Sequence, residues 1–399
     1  WQNEGRFSKF NPQNEILEKR NAFTKTFKKT DGSYISVISV APVHYPDNNG
    51  IWQNISTILK DKGNYAESNE NTFSIELPKN DSERYRITKS EDAIELGYFK
   101  SYKLENTEGN IVNTNVLPER TGEISEGKLV FDAFADFGKE IIELTRVGVE
   151  HHIVIDRIPD EWRESVAEVE YFALEQELTI PDRFSATLEE NPCTKSGEIL
   201  RIRDELGDIA FEIALPYISE VNPRIIHHED ELKGLYDEIK TERVLGKFRI
   251  EKRDGKYILT TLVPFEWLTS EDRLFPIDID PSVYCYPSAI DGWTGYSEGS
   301  SSCYCGYDYC GDWVFWYGAD LTKGWMYFNT SSITDGSTIT DVDLYFYVVN
   351  VNYPYYYVRA MAGFTTSCST IWTYETTGTI YINSTDNFGA GWRSHDLGT

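Results

Sequence analysis

The side chains that could bind a metal ion or act in catalysis fall into three groups in this sequence. Two aspartates, Asp278 and Asp280, lie between prolines in RLFPIDIDPSVYCYP. Four of the histidines form two doublets, His151–His152 and His227–His228. One serine, Ser297, lies in GYSEG, which matches the G-x-S-x-G pattern of hydrolase nucleophiles. These groups are the candidates for a calcium site, a metal site and a nucleophile.

Each group lacks part of what its chemistry needs. A nucleophilic serine in this pattern sits where a strand turns into a helix, whereas Ser297 lies in a stretch rich in Tyr, Ser and Gly, with His395 as the only later histidine. A calcium ion takes six or more oxygen ligands, and Asp278 and Asp280 supply few of them. The histidine doublets are typical of solvated strand or loop residues. We therefore expect a protein that is not an enzyme and has no catalytic residue, metal ion or cofactor.

The pattern of RLFPIDIDPSV predicts the element that holds the two aspartates. Phe275, Ile277 and Ile279 alternate with Asp278 and Asp280, so the apolar and acidic side chains fall on opposite faces of a strand. Prolines flank this strand because they cannot donate to a ladder. The stretch is predicted to be the exit strand of a domain, with two solvated carboxylates.

Alternating apolar residues around turn signals predict hairpins at Asp31–Gly32, Gly207 and Asp254–Gly255. A short helix is predicted between Pro159 and Ala167, and HHEDELKGLYDEIKTERV is interpreted as loop plus strand. Strands do not alternate with long helices anywhere in the chain. The predicted fold class is therefore all-β, with consecutive β-sandwich or jelly-roll domains and little helix.

The charge balance argues against a polyanionic partner. Asp and Glu number 65 against 38 Lys and Arg, which gives the 399-residue chain a formal net charge of -27. Such a surface repels nucleic acid, so we expect no nucleic-acid partner. No stretch reaches the roughly 20 apolar residues of a membrane-spanning helix, and we expect no membrane span.

Composition predicts the domain boundaries. From Pro281 onward the positive charges are Lys323, Arg359 and Arg393, while aromatic and small polar residues dominate. The segment RVGVEHHIVI indicates the beginning of a second domain near Thr145. We expect an extended N-terminal arm over 1–20, a β-sandwich over 21–145, a second over 146–280 that can form one unit with the first, and a Cys- and Tyr-rich jelly roll over 281–399.

Five of the six cysteines lie in the last third of the chain, without the C-x-x-C pairs of a zinc site, and Cys193 stands alone. Disulfides are the favoured interpretation, and they predict an extracellular or cell-surface location. The pairing stays open. The disulfide candidates are Cys285, Cys303, Cys305, Cys310, Cys368 and Cys193. The N-x-S/T sequons that are candidates for glycosylation are Asn54, Asn80, Asn329 and Asn383.

Two sets of aromatic residues are candidates for binding partners. Trp and Tyr rings stack on sugars or pack in a sandwich core, and both interpretations apply to Trp293, Trp313, Trp316 and Tyr355. The polar leader lacks enough apolar residues to fold alone. Its aromatic residues, Trp1, Phe7 and Phe10, are candidate anchors for docking by strand addition onto another module or a neighbouring copy.

Several motifs resemble those of large modular proteins. EWLTSEDRLFPIDIDPSV, RVGVEHHIVI and the run from Glu18 to Ser56 are similar to the N-terminal β-rich module of secreted and cell-surface bacterial proteins. GWMYFNTSSITDGSTITDVDLYFYV and GWRSHDLGT resemble DNRLRE-type jelly rolls, which are related to carbohydrate-binding modules. The chain lacks the DNRLRE string itself and inserts a Cys- and Tyr-rich segment. The resemblance implies a surface, adhesive or scaffolding role with no catalytic residue.

Together these observations favour a structural function. We expect an extracellular, disulfide-stiffened protein that self-associates into a homopolymer, as a filament or adhesive stalk built by exchange of arms or strands. The alternative is a glycan-binding region of a larger secreted protein.

Overall fold

The structure, a computed structural model, describes most of the chain up to Cys285 and separate strands after it. For the strands within 224–240 and 291–396, the backbone alone is described. The described ranges are 14–39, 41–164, 168–190, 198–222, 224–230, 234–240, 242–285, 291–297, 300–305, 321–326, 333, 337–339, 343–348, 356–359, 380–384 and 391–396.

Strands provide most of the regular structure. The first are β1 (Thr24–Lys28), β2 (Tyr34–Ile38), β3 (His44–Pro46), β4 (Trp52–Asn54), β5 (Lys60–Asp61), β6 (Tyr65–Ser68), β7 (Ser74–Pro78), β8 (Arg84–Lys89), β9 (Asp92–Gly97), β10 (Ser101–Glu105), β11 (Ile111–Val116), β12 (Glu123–Ser125), β13 (Lys128–Phe134), β14 (Gly138–Leu144) and β15 (Gly148–Ile155).

The second half continues the pattern. Its strands are β16 (Tyr171–Thr179), β17 (Ser185–Glu190), β18 (Glu198–Arg203), β19 (Ile209–Ile213), β20 (Tyr217–Glu220), β21 (Arg224–Asp230), β22 (Gly234–Lys240), β23 (Arg243–Leu245), β24 (Lys247–Arg253), β25 (Lys256–Pro264), β26 (Ile277–Asp280), β27 (Val283–Tyr284), β28 (Asp291–Ser297), β29 (Ser300–Cys305), β30 (Leu321–Met326), β31 (Asp343–Val348), β32 (Tyr356–Arg359), β33 (Ile380–Ser384) and β34 (Gly391–Asp396).

Helix is confined to short pieces in the described residues. These are a 3₁₀ turn at Leu17–Lys19, α1 (Asp160–Glu164) and α2 (Phe265–Thr269). The prediction of a short helix between Pro159 and Ala167 is confirmed by α1, and the predicted all-β class is confirmed. None of the helices in the described ranges has the length and apolar character needed to cross a bilayer.

The chain forms two compact units. The first contains residues 1–222 and 242–289, and the second contains 223–241 and 290–399. In the second unit, β21 pairs with β22, β28 with β29 and β30, β31 with β34, and β32 with β33. The segment HHEDELKGLYDEIKTERV was predicted to be a loop followed by a strand. The structure has two paired strands there, β21 and β22.

Two large sheets build the first unit. Sheet 1 has ten strands in the order β11-β10-β16-β9-β8-β7-β6-β5, extended by β25 and β24 beside β16. Sheet 2 has eleven, in the order β12-β13-β14-β15-β27-β19-β18-β17, with β26, β20 and β23 continuing from β15. Both sheets draw strands from before and after Thr145.

Side chains from both sheets share the core. Leu77, Tyr85 and Ile87 of sheet 1 belong to one buried cluster with Leu129 and Ile142 of sheet 2. A second buried cluster similarly joins Phe172 and Val263 to Ile153 and Ile279, with Trp162 of α1 packed among them. Since the burial of each large apolar side chain contributes roughly 1.5–3 kcal/mol, these clusters hold the sheets face to face.

The hairpins predicted from turn signals are confirmed. β1 pairs with β2 around Asp31–Gly32, β18 with β19 around Gly207, and β24 with β25 around Asp254–Gly255. Gly32, Gly207 and Gly255 all have φ between +81° and +87°, a conformation that costs glycine little because it has no Cβ. The local turn residues therefore set these connections.

The predicted alternation of faces in the strand at Ile277–Asp280 is confirmed, and the chain continues from it into β27 of the same sheet. In β26, Ile277 and Ile279 are fully buried while Asp278 and Asp280 lie on the other face. β26 pairs with β15, with Ile153 opposite Ile279. At the start of β15, a Cβ added to Gly148 would overlap the backbone carbonyl of Val283, so only glycine lets β27 approach there.

The N-terminal arm is described from residue 14. Ile16 donates its N–H to the Thr26 carbonyl, and Glu15 bridges to Phe27 of β1. This part of the leader therefore lies against its own chain. Trp1, Phe7 and Phe10, the proposed anchors, lie outside the described residues.

Candidate functional site: two histidine networks on β15

Neighbouring histidines on β15 point to opposite faces of sheet 2. His151 follows Val149 onto the inner face toward the core, and His152 follows Glu150 onto the outer face, because side chains alternate along a strand. The doublet was expected to be solvated. That expectation is wrong, since His151 is 1% exposed and the His152 side chain is 16% exposed.

The inner network is a linear series of buried ionisable side chains that contact one another. Glu140 of β14 accepts from His151, with Nε2 and Oε1 2.6 Å apart, and its other oxygen accepts from Arg120 Nη2 at 2.6 Å. Arg120 Nε donates to Asp81 at 2.8 Å. Arg120 and the three partners just named are each at most 5% exposed. Because Asp81 lies between β7 and β8, the network connects the two sheets.

Polar and aromatic groups complete the inner network. Tyr85 Oη lies 3.2 Å from His151 Nδ1, and Gln176 Nε2 donates to the Gly97 carbonyl at 2.7 Å. The guanidinium carbon of Arg120 lies 5.2 Å from the centroid of the Phe131 ring, within cation–π range. These contacts replace the hydration that the buried charges lose.

Electrostatics hold Glu140 in its charged form. Burial alone would raise the pKa of this carboxyl, but hydrogen bonds and charge interactions with His151 and Arg120 outweigh burial, and the pKa is lowered. Burial raises the pKa of Tyr85 well above the usual range, so its hydroxyl stays neutral. Near neutral pH, Glu140 is therefore ionised and Tyr85 is neutral.

The outer cluster brings together side chains from four strands. Glu143 of β14 lies directly opposite Glu150 of β15. His152 Nε2 lies 3.4 Å from Glu150 Oε2 and 3.6 Å from Glu143 Oε1. On its other side, His152 Nδ1 lies 3.0 Å from Asp278 Oδ2 of β26. Lys128 Nζ of β13 pairs with the remaining oxygen, Oε2, of Glu143.

The carboxylates change the protonation of this cluster. Burial lowers the pKa of His152, but the hydrogen bond to Asp278 and the interactions with the Glu143 and Glu150 carboxylates outweigh burial and raise the pKa to about 12. The interaction with His152 is the largest influence on Glu143 and lowers its pKa to about 2. A protonated His152, together with Lys128, offsets part of the charge of the surrounding carboxylates.

Asp278 and Asp280 are not simply solvated, which corrects the expectation from the sequence. Asp278 is the partner of His152, 126 residues away in the chain. Burial raises the pKa of Asp280 to about 6, and Ser282 Oγ donates to its carboxylate. The pair contributes to a histidine–carboxylate cluster rather than to a calcium site of its own.

Sequence reasoning missed most of the residues in both networks. Arg120, Asp81 and Glu140 gave no signal, because their partners are distant in sequence. Glu143 and Glu150 could have been found: they flank the turn after Leu144, and a hairpin there places them opposite each other on one face. Within the described residues that offer side chains, Glu143, Glu150 and His152 could hold a metal ion.

The other candidates are located as follows. Ser297 ends β28, which pairs with a second strand, β29, in a hairpin, unlike the strand-to-helix turn of a nucleophile elbow. His395 lies on β34, His227 and His228 on β21, and Trp293 on β28. Trp313, Trp316 and Tyr355 lie outside the described residues.

Cys285 carries a free, buried thiol whose pKa is raised by burial. Cys303 and Cys305 are on β29, and Cys193, Cys310 and Cys368 lie outside the described residues. The disulfide pattern stays a prediction.

The sequons are also located in part. The Asn54 side chain accepts from Lys25, and the Asn80 side chain donates to Glu119. Asn383 is on β33, and Asn329 lies outside the described residues. Their glycosylation stays a prediction.

Two curated proteins are similar to this chain. They are the tRNA3(Ser)-specific nuclease WapA of Bacillus spizizenii and the tRNA nuclease WapA of Bacillus subtilis. Each is 21% identical over 282 residues, which cover 68% of this chain and 10% of the relative. The chain thus spans about a tenth of the length of the curated relatives it matches. No protein-family model matches the chain, and no solved structure matches it significantly.

These relatives correct the functional expectations. The predictions of a non-enzymatic structural protein, a filament subunit and an adhesive stalk are wrong, and so is the alternative of a glycan-binding region, because the named relatives are tRNA nucleases. Self-association and glycan partners gain no support. The resemblance to DNRLRE-type modules stays a prediction.

Proposed function

We propose that this chain is a region of a large nuclease that acts on tRNA, to which it contributes a rigid β-sandwich. The observation that carries this proposal is the similarity to two tRNA nucleases over 282 residues. Because that similarity covers 10% of each relative, we assign tRNA cleavage to the whole protein and a supporting role to the sandwich.

The inner network supports a rigid role. Buried ion pairs are costly unless the charges are paired and hydrogen-bonded. The charges of Asp81, Arg120 and Glu140 are paired across the two sheets, and Arg120 Nη1 is left without a hydrogen-bond partner among the described residues. A sandwich held in this way keeps a fixed geometry. Such a region is suited to carrying other parts of an enzyme.

Charge determines where we assign contact with tRNA. The net charge of -27 opposes the approach of a polyanion, and the outer cluster adds three carboxylates around one histidine. We therefore assign the phosphate contacts to basic groups outside the outer cluster. tRNA is accordingly a partner of the proposed enzyme, in place of the expectation of no nucleic acid.

The test is cleavage of tRNA by the complete gene product, followed by gel electrophoresis. We expect tRNA to be cut, and we expect Arg120→Met, which disrupts the inner network, to lower activity together with the folded fraction. Glu95→Gln, which removes a carboxylate from a partly exposed ion pair on sheet 1, should leave activity unchanged. Intact tRNA after incubation with the complete gene product would refute the proposal.

The 399-residue chain is assayed in parallel to test the supporting role. We assign this role to the sandwich because its buried charges pair with one another. Cleavage by the chain alone that disappears in His152→Ala, with the fold retained by circular dichroism, would move catalysis into the outer cluster and contradict the role.

We also propose an extracellular location, which the cysteine-rich region after Tyr284 supports. Mass spectrometry of the native protein under non-reducing conditions should find at least one disulfide among the cysteines other than Cys285. Six free thiols in freshly isolated protein would contradict this location.

A further inference from the structure

We propose that Glu143, Glu150 and His152 form a binding site for one Zn²⁺ ion. Each side chain offers one ligand atom, and these three atoms lie within 4.8 Å of one another. The inference rests on the geometry of β14 and β15 and is independent of the tRNA proposal. The cluster combines an imidazole nitrogen with carboxylate oxygens, and zinc binds both of these ligand types in proteins.

The distances match the edges of a tetrahedral zinc site. With Zn–N and Zn–O bonds of about 2.0–2.2 Å, two ligand atoms in a tetrahedron are about 3.4 Å apart. His152 Nε2 lies 3.4 Å from Glu150 Oε2 and 3.6 Å from Glu143 Oε1. Both separations exceed the donor–acceptor distance of an N–H···O hydrogen bond, which is about 2.7–3.2 Å. The atoms are thus spaced for a shared ion better than for direct hydrogen bonds.

Neighbouring groups orient the proposed ligands. Asp278 accepts from His152 Nδ1 at 3.0 Å, so Nε2 is the nitrogen left to face the two glutamates. This is the carboxylate–histidine–zinc arrangement, in which the second carboxylate fixes the ring and increases its basicity. Lys128 pairs with Glu143 Oε2 and leaves Oε1 toward His152. His152 of β15 and Glu143 of β14 are therefore each oriented by a partner outside the proposed ligand set.

Ligand chemistry favours zinc over magnesium or calcium. Calcium and magnesium prefer six or more oxygen ligands, or an octahedron of them, whereas imidazole suits zinc and related transition metals. The ligand side chains are 16–31% exposed, so solvent can reach a fourth position. Zinc binds the neutral imidazole, and it therefore replaces the proton on Nε2, which passes to the buffer.

The experiment is zinc binding by the complete 399-residue chain at pH 8. The protein is stripped with a chelator, dialysed, and titrated with Zn²⁺ in a calorimeter, and bound metal is counted by mass spectrometry. Because thiols and other histidines also bind zinc, the readout is the difference between the chain and its variants. We expect His152→Ala and Glu150→Gln each to lose one equivalent of tight zinc binding.

A second variant and a matched control keep the test specific. Asp278→Asn should retain the equivalent but bind it about 10–100-fold more weakly. Glu95→Gln makes the same charge change as Glu150→Gln on another sheet and should bind zinc as the unchanged chain does. Circular dichroism confirms that each variant is folded. Equal stoichiometry and affinity in the chain, His152→Ala and Glu150→Gln would overturn the proposal and leave a protonated His152 as the cation of the cluster.

Discussion

The two faces of sheet 2 treat neighbouring histidines in opposite ways. On the inner face, His151 and Glu140 are sealed between the sheets with Arg120 and Asp81, and the two carboxylates are paired with the Arg120 guanidinium. On the outer face, His152 faces three carboxylates, which remain 23–31% exposed. Both networks contain one histidine and more than one carboxylate. They differ in solvent exposure, and only the inner network contains an arginine.

The difference separates a structural role from a binding role. In the inner network, Arg120 balances Glu140 and Asp81 permanently, because guanidinium does not lose its proton in proteins. In the outer cluster, the balancing charge is a proton on His152 helped by Lys128, and a metal ion can replace a proton. Burial and a fixed cation produce rigidity, whereas partial exposure and an exchangeable cation permit binding.

The largest expected effect comes from Arg120→Met. The substitution leaves Glu140 and Asp81 buried without their arginine, and breaking a buried pair typically costs about 3–5 kcal/mol. We expect the free energy of unfolding, measured with urea, to fall by this amount. Arg157→Met, at a pair whose side chains are 63% and 80% exposed, is the matched control. Equal losses in the two variants would remove the distinction between the networks.

A smaller loss of stability is expected from His152→Ala. The variant loses hydrogen bonds to charged groups, worth about 1–3 kcal/mol, but Glu143 keeps Lys128 and the carboxylates keep contact with water. Urea unfolding in the presence of a chelator measures the difference from the unchanged chain. A loss as large as that of Arg120→Met would indicate that the outer cluster is equally structural.

The pH dependence of stability should report the inner network. The pKa of Glu140 is lower in the folded protein than its ordinary value of 4.5, so the unfolded state takes up a proton first as the pH falls. Its contribution is complete above pH 4.5 and is lost as the pH falls through the lowered native pKa. Urea unfolding between pH 3 and pH 7 should give a shallower acid loss for Glu140→Gln. Identical slopes would contradict the lowered pKa.

The smallest effect is expected at an exposed pair on sheet 1. Arg86 and Glu95 lie opposite each other on β8 and β9, with side chains 53% and 34% exposed. Such pairs contribute about 0.2–1 kcal/mol and are screened by salt. Arg86→Ala should therefore change the free energy of unfolding little, and less still in 1 M salt. A loss above that of His152→Ala would reverse the expected order.

Much of the fold could be predicted, and little of the site. The hairpins at Gly32, Gly207 and Gly255 and the faces of β26 follow from turn residues and alternation, which act within a few residues. The site depends on contacts between distant segments. His151 and His152 look alike in the sequence, and only the position of sheet 1 decides which of them is buried.

The expectation of function failed for a related reason. Aromatic and cysteine-rich composition after residue 280 favoured a structural protein, and the similarity to tRNA nucleases overturned it. Composition reports what a surface can contact, whereas an enzyme is defined by the placement of a few groups. Amino-acid composition carries no information about where those groups lie in space.

By itself, the sequence determined that the chain is all-β, where several hairpins turn, and that Asp278 and Asp280 share one face of a strand. Each of these follows from the period of two residues in a strand and from glycine in the turns. The tertiary structure alone decided that Asp278 meets His152 across 126 residues, and that Arg120 reaches Glu140. Those pairs depend on strand register and on the packing of two sheets, which are set by the burial of many distant side chains together.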